Sequence, residues 1–123
     1  MTIDVTRASR ELEQKVDSVT PYEVISLLLE GALERVEQAQ ETLSKGDTQA
    51  AGELMGRLVG IVNGLRNSLD FDNGGEVAVN LDSLYEYITA RILEAEAENG
   101  LEVLSEAGEL LSQVKDGWQG IAA

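Results

Sequence analysis

A chain of 123 residues holds one domain of ordinary size and leaves no room for a separate cofactor domain. Its 23 acids against 9 bases give a formal charge of −14, a surface that repels phosphate backbones and anionic lipid, so neither nucleic acid nor membrane is an expected partner. With no Cys and no His there is no thiol nucleophile, no Ser/His/Asp triad, no ordinary zinc site and no Glu-x-x-His di-iron centre, and no metal or cofactor is expected.

Residues 1–19 carry only a thin apolar stripe (Val5, Leu12, Val16, Val19) among charges, which reads as an N-terminal arm or short extra helix. They lack the apolar run of a secretory signal, and no stretch approaches the roughly 18 apolar residues of a membrane span, so the cytoplasm is the expected compartment. The domain is expected over 20–123. Thr20-Pro21-Tyr22-Glu23 is a strong helix start, with Thr20 able to cap, Pro21 suited to the first helical position and Glu23 completing a capping box. A helical stripe follows at Ile25, Leu28, Leu29, Ala32, Val36, Ala39 and Leu43, and Gly46 supplies a left-handed stop. Asp47 can cap a second helix, whose stripe is Ala51, Leu54, Leu58, Ile61 or Val62, Leu65 and Leu69. The segment Asp70 to Gly75 breaks the pattern, and a third helix follows with Val77, Leu81, Leu84, Ile88, Ile92 and Ala95, running out at Asn99-Gly100. A fourth carries Leu101, Leu104, Ala107, Leu111, Val114 and Trp118. Nothing alternates with period two over a strand's length, and the connections are short. The expected fold is all-α, an antiparallel up-down four-helix bundle.

The acidic loop Asp70-Phe71-Asp72-Asn73-Gly74-Gly75-Glu76 invites a calcium reading, but the twelfth position counted from Asp70 is Leu81, where an EF-hand needs a bidentate Glu. It reads as a turn in which glycine permits positive φ, with Glu76 in a first helical turn. Carboxylate pairs such as Glu94/Glu98 and Glu102/Glu106 sit four apart, the spacing of a solvated helix face.

The least expected feature is a row of glycines in the second helix, Gly52, Gly56, Gly60 and Gly64. Each costs about 0.8–1 kcal/mol against Ala inside a helix, so something should offset the row. At about 100° per residue from Ala51, the core stripe centres near 330° and the glycines fall at about 100°, 140°, 180° and 220°, mostly away from the core. Two readings stand: close approach by another element of the same bundle, such as the arm, or a trough in which a partner helix packs on bare backbone, with Met55 and Val59 as one bank. Leu27 and Leu33 on the first helix, and Val79, Ala90, Leu93 and Ala97 on the third, also stand off the core stripes. A wide core stripe would account for them; taken with the trough they mark a protein-binding face. Tyr22, Tyr85, Tyr87 and Trp118 suit core and rim packing.

The run Pro21-Tyr22-Glu23-Val24-Ile25-Ser26-Leu27-Leu28-Leu29-Glu30-Gly31-Ala32-Leu33, the Lys45-Gly46-Asp47 junction, Ser68-Leu69-Asp70, Gly74-Gly75-Glu76, Asn80-Leu81, Leu84-Tyr85-Glu86-Tyr87 and the late Trp118 together resemble the flagellar secretion chaperone FliS family over about residues 20–120. The resemblance implies an antiparallel helical bundle without enzymatic activity. It also implies a partner, the C-terminal segment of flagellin, which the bundle holds in the cytoplasm, keeps from premature polymerisation and delivers to the flagellar type III export gate. Amphipathic flagellin segments would gain helix as they drape over grooves on the exterior. Gly74 and Gly75 match the family's turn; Asn80, Leu81, Leu84, Tyr85 and Tyr87 match its third-helix signature. Residues 1–19 depart from the family in lacking an early Tyr, and the glycine row is denser than the family's. The candidate partner-binding residues are Leu27, Leu33, Met55, Gly56, Val59, Gly60, Gly64, Asn80, Tyr85 and Leu93. The alternative is a non-enzymatic adaptor or regulator whose trough closes on a second copy of itself.

Overall fold

In a computed structural model, residues 20–121 are described, and they form four helices and no strand: α1 (Pro21–Ser44), α2 (Thr48–Asn67), α3 (Phe71–Glu94) and α4 (Gly100–Ile121). The arm expected at 1–19 lies outside the described residues. Each helix packs on its chain neighbours and α1 closes the ring against α4, which is the up-down-up-down bundle.

Capping chemistry sets the element starts. The Glu23 amide donates to Thr20 Oγ1 at 3.2 Å with Pro21 at the first helical position, and the Ala50 amide donates to Asp47 Oδ1 at 3.1 Å. Between these helices Gly46 takes φ 83°, the left-handed conformation that ends α1. The junction of α2 and α3 is built differently from the expected open turn. Asp70 caps a first turn that begins at Phe71, accepting from the Asn73 amide at 3.1 Å and from its side chain at 2.7 Å, and the chain then kinks at Gly75, where φ is 50°.

The core joins Leu29, Ala32, Val36 and Ala39 of α1 to Leu58, Val62 and Leu65 of α2, Tyr85, Ile88 and Ile92 of α3, and Val103, Leu104, Ala107 and Leu111 of α4. Two positions differ from the sequence stripes. Val77 and Leu101 are exposed, and Ala78 and Val103 take the interior places. One residue is about 100° of helix, so a stripe begun one position early at Val77, or two positions early at Leu101, misplaces its first member. On α3 the phase is carried by Ala78, Tyr85 and Ile92, seven residues apart, because the kink at Gly75 separates the first turn from the rest. The third helix also stops earlier than expected, at Glu94. Gly100 opens α4 instead of ending α3; a Cβ there would lie 2.6 Å from Leu43 Cδ2 of α1, so the end of that side chain would have to shift.

The two ends of the ring are tied by aromatic packing. The Tyr22 and Trp118 rings stack with centroids 5.0 Å apart, and Trp118 Nε1 donates to the Tyr22 carbonyl at 3.2 Å and Ser26 Oγ at 3.1 Å. Packing is thus the role of these two aromatics in the described structure.

Candidate functional site

The glycine row begins on the outside of α2 and ends at a neighbour. A Cβ placed on Gly52, Gly56 or Gly60 would meet no atom within 4 Å, so among the described residues nothing rests on these three positions. At Gly64 the row reaches α1, where a Cβ would lie 3.9 Å from Leu28 Cδ1; one turn further along that seam, a Cβ on Gly31 would lie 3.7 Å from Ile61 Cδ1. The row therefore crosses α2 obliquely, from its α3 side to its α1 side, as a four-residue repeat must on a helix of 3.6 residues per turn.

Apolar side chains flank this trough on both sides, with Glu53, Arg57 and Asn63 also exposed on α2 among the glycines. Met55 and Val59 are half-buried, packed against the core on the α3 side. The antiparallel register of α2 and α3 is fixed by Arg66, which donates to both carboxylate oxygens of Asp82 and to Glu86 at 3.4 Å. That register brings the last turn of α3 level with Met55, and there Leu93 stands 72 % exposed with the exposed Ala90 a turn away. On the α1 side the bank is Leu27, 61 % exposed, with Val24 on the same flank. Val24 escaped the sequence reading because one exposed Val near a helix start is unremarkable; its spacing of three from Leu27 and seven from Gly31 was the available signal.

Seven of the ten candidate residues are thus brought to one face: Leu27, Met55, Gly56, Val59, Gly60, Gly64 and Leu93. Three are not. Tyr85 is 3 % exposed, in the core stripe of α3, where burial pushes its phenol above its ordinary pKa, and no partner docking on the surface reaches it. Asn80 is exposed near the start of α3 but turned to the α4 side. Leu33 is half-buried in a separate groove between α1 and α4. Helix phase explains all three: a short motif holds residues from several faces, and only the periodicity of the helix says which they share.

Polar contacts away from the trough are structural. Tyr87 donates to Glu106 Oε1 at 2.7 Å and Arg91 Nε reaches the same oxygen at 3.4 Å, joining α3 to α4; the bond to Glu106 raises the Tyr87 pKa. Among the described residues no three carboxylates converge as a metal site would require. In the acidic loop Asp70 caps the first turn of α3.

The sequence pattern of flagellar protein FliS matches residues 5–123. The chain belongs to the FliS family. It is 43% identical over 111 residues to the flagellar secretion chaperone FliSB of Pseudomonas aeruginosa, covering 90% of this chain and 88% of that one. To the flagellar secretion chaperone FliS of Salmonella typhimurium it is 35% identical over 116 residues, 94% of this chain and 86% of the relative. Two of the segments that carried the resemblance, Ser68-Leu69-Asp70 and Gly74-Gly75-Glu76, build the α2–α3 junction: Ser68 ends α2, Asp70 caps α3, and Gly75 makes the kink.

Proposed function

We propose that this protein is an export chaperone that binds the C-terminal segment of flagellin in the cytoplasm, keeps it from polymerising and passes it to the flagellar type III export apparatus. Membership of a family of flagellar secretion chaperones supports the role. The observation that carries the choice of surface is the open outer face of α2. Three exposed glycines in a row are costly to a helix, and the cost is offset if a second helix packs on the bare backbone. Met55, Val59 and Leu93 on one bank and Leu27 on the other would receive the apolar face of a flagellin segment that is disordered when free and gains helix as it binds. The mechanism is binding alone, with no catalytic step.

Titration with the flagellin C-terminal segment tests this. The double variant Gly56→Leu with Gly60→Leu should fold, since both sites are open, yet bind at least tenfold more weakly, a loss of about 1.4 kcal/mol. A folded double variant with unaltered binding would place the site elsewhere. Mass measurement of the unmodified protein separates the alternative: a monomer that takes up one segment fits the chaperone, and a tight dimer closed over the trough fits a self-associating adaptor.

A further inference from the structure

Between α1 and α4 lies a second groove, lined by Leu33, Val36, Gln40, Ser105, Gly108 and Ser112. Leu33 and Val36 give it an apolar wall facing the bare backbone of Gly108, where an added Cβ would come within 3.1 Å of Val36 Cγ1, with Gln40, Ser105 and Ser112 alongside. Its rims are acidic. Glu30, Glu34, Glu37 and Glu41 follow one flank of α1 at helical spacing, and Glu102, Glu109 and Asp116 follow the facing flank of α4 at intervals of seven. Few cations offset them: Lys45 is drawn to Glu41 at 3.0 Å, Arg35 bonds Gln38 and lies 3.9 Å from Glu34, and Lys115 is half-buried beyond Ser112. An apolar wall between two acidic rails is complementary to one kind of occupant.

We propose that this groove is a second docking surface, for an amphipathic helix of another protein that carries an apolar stripe flanked on both sides by Lys or Arg. The chain's own N-terminal segment does not match, since Arg7, Arg10 and Lys15 are outnumbered there by Asp4, Glu11, Glu13 and Asp17, and a second copy at −14 is repelled. The groove is separate from the glycine trough, although α1 borders both. The surface is independent of the flagellin reading, and its failure would leave that reading untouched.

The probe is a synthetic helical peptide of about four turns with a Leu/Ala stripe and Lys on both flanks, titrated into the full chain at fixed salt. Glu37→Gln with Glu109→Gln should weaken binding at least fivefold, while Glu53→Gln with Glu94→Gln, an equal charge change on α2 and α3, should alter it less than twofold. The same peptide with its apolar stripe replaced by Ser should bind at least fivefold more weakly, and amide chemical-shift changes should gather on α1 and α4. Equal weakening by the two variants, or undiminished binding of the Ser peptide, would show attraction to net charge alone and overturn the proposal. Shifts confined to α2 and α3 would overturn it as well.

Discussion

Arg66 and Asp82 stand sixteen residues apart in sequence and form a forked pair across the α2–α3 seam, so the carboxyl of Asp82 is held below its ordinary pKa chiefly by the hydrogen bond from Arg66. Asp70 is also held low, by the side chain and backbone amide of Asn73 that it caps. A carboxylate depressed in the folded state adds stability above its unfolded pKa of about 3.9 and loses it as pH falls through the lower folded value. Asp82→Asn should therefore be less stable than the parent at pH 6, and the difference should narrow as pH drops below about 4, where the parent loses the same contact. Urea unfolding at a series of pH values checks this; a difference constant with pH would mean the pair contributes nothing through charge. Of such residue-level features, the sequence made legible those that act locally. Thr20 and Asp47 were readable as caps because a cap and its amide lie three residues apart. The Arg66–Asp82 pair was not, because its partners meet only once two helices have docked.

Within α2 and α3 the glycines divide by what their backbone and surroundings require. Gly56 and Gly60 have helical φ and open space, so replacing either by Ala should raise the unfolding free energy by up to about 1 kcal/mol. Gly75 has φ 50° at the kink, a conformation that costs an L side chain about 1–3 kcal/mol, so Gly75→Ala should destabilise by a similar amount despite open space around it. Chemical denaturation of the three single variants gives the comparison, and a loss of stability at Gly56 or Gly60 would mean that these positions are covered. The helices themselves were legible because apolar residues repeat at three and four, and each stripe within α1 and α2 faces the interior as expected. The phase of α3 was less so, since Val77 and Ala78 fit the same periodicity and only the kink at Gly75 decides between them. The glycine row pointed outward as its angles required. That Leu33 and Asn80 leave the trough's face, and that Tyr85 enters the core, depended on the order in which the four helices pack around the ring, which a period within one helix does not encode.

Across the whole molecule the charge of −14 is spread unevenly: α1, α3 and α4 are each strongly acidic, while on α2 Arg57 and Arg66 outweigh Glu53. Like charge on a compact domain opposes folding, and salt at about 0.15 M shortens the reach of that repulsion to about 8 Å. Adding moderate salt should thus raise the melting temperature, by about 4 °C for each kcal/mol of repulsion relieved in a chain of this size. Binding should divide by face. The trough between Met55 and Leu27 is flanked by apolar side chains and its centre is backbone, so affinity for the flagellin C-terminal segment should vary little with ionic strength. Titrations at low and moderate salt, run beside thermal melts in the same buffers, measure both responses. A melting temperature that rises while flagellin affinity holds constant assigns the charge to stability and the trough to recognition; a steep loss of flagellin affinity in moderate salt would mean that the acidic flanks, and not the glycine face of α2, hold the partner.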